Sequence, residues 1–263
     1  MSNKTVVTII RHGETDYNKA GIVQGHLDVP LNGQGLAQAA VTGRWIASQG
    51  LRFDEAYSSD LSRARVTAET ILSAQPQAPQ LQLDERIRER FLGKLQGKRR
   101  GDPGADPTTV EPIPQLRGRL WSFWDSLFPP AGPAASSSAS IASSASASPS
   151  TAAENRQFLY VSHGAAIREF ILSLASQDVL PVEKGGGRSF DLLLPEQEAA
   201  AIRAGSKRID NCSRTVIEME WLEDENEKRR GRWHGRLMLY ADDSHFVDSS
   251  RAPSPTANAD VVE

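Results

Sequence analysis

Cysteine is nearly absent. Cys212 is the one thiol in 263 residues, so no internal disulfide can form and a reducing compartment is the expected setting. Long hydrophobic runs are missing too, since no apolar stretch approaches the ~20 residues that a spanning helix needs. Nor is there a surplus of basic charge. Lys and Arg number 30 against 33 Asp and Glu, which argues against a dedicated nucleic-acid binder. The opening MSNKTVV has no apolar leader core or cleavage-like site. These absences predict a cytoplasmic protein, with nuclear residence also open, and no membrane or nucleic-acid partner.

Two segments lack the side chains that build a core. Residues 129–153, PPAGPAASSSASIASSASASPSTAA, are nearly all Ser, Ala, Pro and Gly. They bury too little apolar surface to offset the entropy of ordering. Strand and helix signals resume directly afterwards, so the stretch reads as a flexible insert in one domain covering 1–248, with a domain linker as the alternative. The tail 249–263 reads as disordered.

What is present alternates strands with helices. TVVTII (5–10) is apolar on both faces, as a central parallel strand is. Asn32 is placed to cap a helix, with Leu36, Ala40, Gly43 and Ala47 on its inner face and Gly50 as its stop. FDEAYSS (53–59) predicts a short strand and LSRARVTAETIL (61–72) a helix with Leu61, Ala64, Ala68 and Leu72 inward. LQLDERI is a further strand-like piece. A helix is expected after Pro114, burying Leu116, Leu120, Phe123, Trp124 and Leu127. FLYVS is again fully apolar, GAAIREFILSLAS helical, and TVIEMEW and RLMLY flank a charged loop whose KRRGR (228–232) reads as a solvated tip. The expected class is α/β, a mostly parallel central sheet with helices on both faces in three layers, and ligands in that class bind at the carboxyl ends of strands.

Two of those ends look alike. His12 follows TVVTIIR and His163 follows FLYVS, each trailed by glycine. Arg11 adjoins the first histidine, Arg63 opens the helix after the second short strand, and the helix starting at Gly164 aims its N–H groups at the same place. Two imidazoles, two guanidiniums and a helix N-terminus repel one another unless an anion sits among them. Phosphate fits, because arginine forks match its oxygens in pairs. His26, His234 and His245 lack ligand-like spacing, so no metal or other cofactor is expected. A cysteine-phosphatase site is disfavoured, because Glu218 stands six residues after Cys212 where that chemistry needs arginine.

A lone histidine at a strand end is more often structural than catalytic. The longer strings RHGETDYNKAGIVQGHLDVPLNGQG, SSDLSRARVTAETI, RIRERFLGKLQGK and YVSHGAAIRE, in that order, carry more weight. Together they resemble the histidine phosphatases of the phosphoglycerate mutase-like superfamily, most closely the TIGAR-type fructose-2,6-bisphosphatases. NCSRTVIEME and ADDSHF resemble that family's final strands. The resemblance implies that His12 is the nucleophile forming a phosphohistidine, dividing one displacement into two. Arg11, Arg63 and His163 would form the phosphate clamp, Asn18 would donate to a phosphate oxygen, and Gln24 and Gly25 would touch phosphate or substrate. Glu89 would be the acid/base carboxyl. Glu14 is the rival for that role and otherwise would orient the arginines.

Phosphatase and mutase share this machinery. The chain offers EPIPQLRGRLWSFWDSLF and a polar stretch where mutases carry an arginine- and proline-rich insertion, which favours the phosphatase. Lys94, Lys98, Arg99 and Arg100 make the acid loop basic, which suits a substrate with a second phosphate or carboxylate, or else an ordinary solvated loop. Fructose 2,6-bisphosphate leads the substrate expectations, ahead of other sugar or glycerate phosphates. A binding module with a retired site is the alternative of another class.

Overall fold

The computed structural model describes residues 4–99, 102, 106–129, 155–175, 190–223 and 231–246. The strands are β1 (Lys4–Arg11), β2 (Glu55–Ser58), β3 (Leu81–Leu83), β4 (Arg156–Ser162), β5 (Phe190–Leu193), β6 (Arg214–Glu223) and β7 (Gly231–Asp242). The helices are α1 (Asp16–Ala20), α2 (Gly33–Ser48), α3 (Ser62–Leu72), α4 (Ile113–Leu127), α5 (Gly164–Ala175) and α6 (Glu196–Arg203). Among the described residues the strands form one sheet in the order β3-β2-β4-β1-β6-β7-β5. The pairs β1–β4, β2–β4, β2–β3 and β5–β7 are parallel, and β6 alone runs against both its neighbours. This is the α/β class with a mostly parallel sheet.

Side-chain alternation along the inner strands separates two cores. Val7, Ile9, Phe158 and Tyr160 face a cluster with Leu116, Trp121, Trp124, Phe170 and Ile202 from α4, α5 and α6. Ile10, Leu159 and Val161 face the opposite cluster, built with Ala39, Ile46, Ala64 and Ile71 from α2 and α3. Helices therefore cover both faces, giving three layers. Each fully buried Phe or Ile contributes about 1.5–3 kcal/mol relative to exposure, and such residues at β1 and β4 hold rigid the strands whose ends carry the site.

Several sequence expectations shift in register. The buried face of α2 is Gly35, Gln38, Ala39, Thr42, Gly43 and Ile46, whereas Leu36 is 45% exposed. The reason is contact with backbone and polar groups: Gln38 Oε1 accepts from Glu14 N–H at 2.9 Å and Thr42 meets His245 at 3.0 Å. α4 begins at Ile113 with Pro114 inside its first turn, where a missing N–H costs nothing. The strand-like LQLDERI keeps only three residues of strand before a 3₁₀ turn, Glu85–Ile87. The charged loop is shorter than its composition suggests, since β6 runs to Glu223, β7 starts at Gly231, and Trp233 is buried opposite Trp221. β5 and α6 were not expected, although Pro195, the acidic first turn of Glu196 and Glu198, and Gly205 mark out α6. The expected flexible insert, beyond Pro129, and the expected tail lie outside the described residues, as do Arg100 and residues 228–230 of the KRRGR run.

Candidate active site

The ends of β1 and β4 create the site's centre. These strands are parallel neighbours in register, with Arg11 beside Ser162. The next residue on each strand is a histidine, and His12 N–H donates to Ser162 O at 2.9 Å. The two rings lie 5.1 Å apart between centroids, both fully buried. Arg11, Asn18, Gln24, Arg63 and Glu89 are also 0% exposed, a concentration of buried polar groups that needs partners or a task.

The turn after β1 is fixed from three sides. Gly13 N–H donates to Thr67 Oγ1 on α3 at 3.0 Å, and Asn211 Nδ2 donates to His12 O at 2.8 Å. Gly13 lies against the backbone of Gly35 on α2, and a Cβ there would come within 2.5 Å of the Gly35 carbonyl oxygen. Only glycine permits that approach. His12 Nδ1 then donates to the Gly13 carbonyl at 2.7 Å. That bond places the ring proton on Nδ1 and leaves the lone pair on Nε2, the form a nucleophile requires.

The guanidiniums are anchored by main-chain carbonyls. Arg11 Nη1 donates to Ile209 O at 2.7 Å. Arg63 Nη1 and Nη2 donate to Leu27 O at 2.7 Å and Gly25 O at 2.8 Å. Gly25 has φ +52, and a side chain there would collide with Gln96. Asn18 belongs to α1, whose cap Thr15 accepts from Asn18 N–H while Asn18 Oδ1 accepts from Thr15 N–H. Thr15 Oγ1 also donates towards Gln24 Oε1 at 2.9 Å. His12 Nε2, both nitrogens of His163 and Asn18 Nδ2 are buried with no hydrogen-bond partner among the described residues.

The N-terminus of α5 has a different occupant from the one expected. Ala165 and Ala166 N–H donate to the Glu89 carboxylate at 3.1 and 2.9 Å, and Arg90 N–H donates to it at 2.9 Å. Gly164 thus opens a helix whose next two N–H groups hold the carboxyl. Glu14 is placed otherwise. Its Oε1 accepts from Asn32 Nδ2 at 2.9 Å, tying it to the cap of α2 rather than to either arginine of the cluster. Cys212 is buried and its thiol is pushed up to about 12, chiefly by burial. A cavity of about 570 Å³ adjoins the acid segment, lined in part by His26, Arg88, Phe91, Glu111, Gln115 and Arg119. In the basic loop, Lys94 is paired with Asp106 at 3.0 Å. Arg65 pairs with Glu69 one turn along α3, as a surface charge does.

No role was expected for Thr15, Thr67 or Asn211, which orient the site, although all three lie within the strings that carry the resemblance. Thr15 alone left a signal, the Thr-x-x-Asn spacing of a helix cap.

Both central imidazoles are held neutral. Burial lowers the His12 pKa well below 6.5, and the charges of Arg63 and Arg11 add to it. Burial does the same for His163, followed by Arg63 and His12. Between a depressed folded value and 6.5, the unfolded chain binds more protons than the folded one, so stability rises with pH and falls on acidification. The melting temperature is expected to decline from about pH 7 to pH 5, and less steeply in His163→Asn. Equal slopes in the two proteins would mean that the ring does not titrate on unfolding.

Residues 7–184 match the family model of the histidine phosphatase superfamily (branch 1), about two thirds of the chain. The chain belongs to that superfamily. It is 36% identical over 136 residues to the fructose-2,6-bisphosphatase TIGAR of Xenopus tropicalis, a match covering 46% of this chain and 49% of that protein. It is 41% identical over 91 residues to a broad-specificity phosphatase of Saccharomyces cerevisiae, covering 34% and 39%. These alignments span half or less of the curated relatives they match. The phosphoglycerate mutase of Bacillus anthracis has the same fold, with a TM-score of 0.61 at 20% identity over 94% of this chain and 96% of that one.

Proposed function

We propose that this superfamily member is a phosphatase of small phosphorylated metabolites, working through a phosphohistidine on His12. The observation that carries the reading is His12 Nε2, unprotonated and buried beside His163 among the charges of Arg11 and Arg63. In the first step Nε2 attacks phosphorus, the P–O bond to the leaving group breaks, and Glu89 protonates the leaving oxygen. Arg11, Arg63, His163 and Asn18 offset charge on the phosphoryl oxygens, with Gln24 and Gly25 bracing that cradle. In the second step Glu89 takes a proton from water as the water attacks phosphorus, the P–Nε2 bond breaks, and phosphate leaves with the His12 lone pair restored. The same carboxyl thus acts as acid in the first half and as base in the second.

We assign the rest of the substrate to the cavity beside the acid segment, which flanks Glu89 through Arg88 and Phe91 and is lined by none of the clamp residues. Phe91 supplies an apolar face for a sugar ring, and Arg88, paired with Asp60, brings a guanidinium to the same cavity. This supports a sugar phosphate, with fructose 2,6-bisphosphate as the first candidate. Cys212 as the only thiol suits a cytoplasmic setting.

The test is phosphate release by the full chain from fructose 2,6-bisphosphate, glycerate phosphates, sugar monophosphates and nitrophenyl phosphate, with and without EDTA. Release from at least one metabolite, unchanged by chelator, is expected. Transfer of the phosphoryl group between glycerate positions without net release would instead mark a mutase. Silence across the panel would mark a retired site.

A further inference from the structure

We infer that Arg119, on α4 and outside every site motif, is a positioning residue for Glu89. The inference rests on the reading of Glu89 as the general acid–base. The segment leading to Glu89 belongs to no strand, so its carbonyls have no sheet partners. Instead side chains take four in succession. Arg119 Nη1 donates to Arg86 O and Arg88 O, both at 2.7 Å, and Nη2 donates to Glu89 O at 2.7 Å. Ser162 Oγ donates to the intervening Ile87 O at 2.8 Å. His26 Nε2 adds a second bond to Glu89 O at 2.7 Å.

Glu111 completes the clasp. Its Oε1 accepts from Arg119 Nε at 2.8 Å and its Oε2 from Arg119 Nη2 at 3.0 Å. With the three carbonyls, this uses all five N–H groups that a guanidinium has. Glu111 also grips the far side of the acid, since Oε2 accepts from Phe91 N–H at 3.0 Å and its carbonyl accepts from Arg90 Nε at 2.8 Å. Glu111 is 6% exposed. Burial alone would raise its pKa, but the hydrogen bond and charge of Arg119 outweigh that and hold it below 4.5. The acid is therefore fixed at both ends: α5 holds its carboxyl and α4, through Arg119, its peptide. Lysine cannot substitute, because one ammonium has three donors and no fork.

A purely structural arginine would lower all activity together. A residue that aims the acid is felt most where the leaving oxygen needs a proton. Arg119→Met should lower kcat for a sugar monophosphate by roughly 10- to 100-fold, the scale of a misplaced catalytic group. Its loss on nitrophenyl phosphate, whose leaving group needs no proton, should be several times smaller, with KM for both nearly unchanged. Arg119→Lys should recover little. Glu111→Gln keeps Arg119 and serves as the second variant, with the same substrate dependence in weaker form, should Arg119→Met fail to fold. Glu89→Gln is measured alongside. If it discriminates between the two substrates while the variants at 119 and 111 lose both equally or neither, this inference is overturned and the assignment of Glu89 stands. If Glu89→Gln does not discriminate, both fall.

Discussion

Replacing His12 with alanine is expected to reduce turnover on the order of 10⁴-fold or more, the scale seen when a covalent nucleophile is removed. The fold should survive. The bonds that shape this turn come from backbone, namely His12 N–H to Ser162 O, Gly13 N–H to Thr67 and Asn211 to His12 O, and alanine keeps all of them. Only the bond from Nδ1 to the Gly13 carbonyl is lost. A melting temperature within about 5 °C of wild type is expected, since 1 kcal/mol shifts a domain of this size by roughly 2–4 °C. Wild-type protein quenched rapidly with labelled substrate should carry an acid-labile, base-stable phosphoryl adduct that His12→Ala lacks. Residual activity within tenfold of wild type, or label retained by the variant, would place the nucleophile elsewhere.

Glu89→Gln should slow turnover at least ~100-fold, the lower range for losing a general acid–base. The amide can neither protonate the leaving oxygen nor take a proton from water. It also meets three backbone N–H groups, from Arg90, Ala165 and Ala166, with only one acceptor oxygen. A buried donor facing a donor costs about 1–3 kcal/mol, so some loss of stability should accompany the loss of rate, and binding of inorganic phosphate serves as the check that the clamp persists. On nitrophenyl phosphate the first step should suffer less. The variant could then accumulate phosphohistidine, because water attack still lacks its base. Glu14→Gln should show neither effect, its carboxylate being committed to Asn32. The reverse pattern would reassign the acid.

These expectations divide by the range of the interactions behind them. The sequence by itself determined what depends on neighbours in the chain. A β-branched run made β1 a central strand and the apolar run FLYVS did so for β4, the glycines after His12 and His163 marked sharp turns, and the residue types of the proposed clamp pointed to an anion. The alternation of strands and helices determined the three-layer class. Periodicity failed on α2, because its inner face contacts backbone and polar side chains, so burial there follows size and hydrogen bonding instead of hydrophobicity.

Tertiary structure alone decided who meets whom. His12 and His163 are neighbours only because β1 and β4 pair in parallel register across roughly 150 residues of sequence, and no local pattern encodes a register. The helix N-terminus at Gly164 was expected to aim its N–H groups at the same anion as the histidines, yet those of Ala165 and Ala166 hold Glu89, because a buried carboxylate without donors is costlier than an unused helix end. Glu14, two residues from His12, was taken by α2, and Arg119, thirty residues beyond the acid, took hold of its peptide. Each outcome was set by the requirement that buried polar groups be satisfied by whatever the packed chain brings within reach. That accounting closes only in three dimensions.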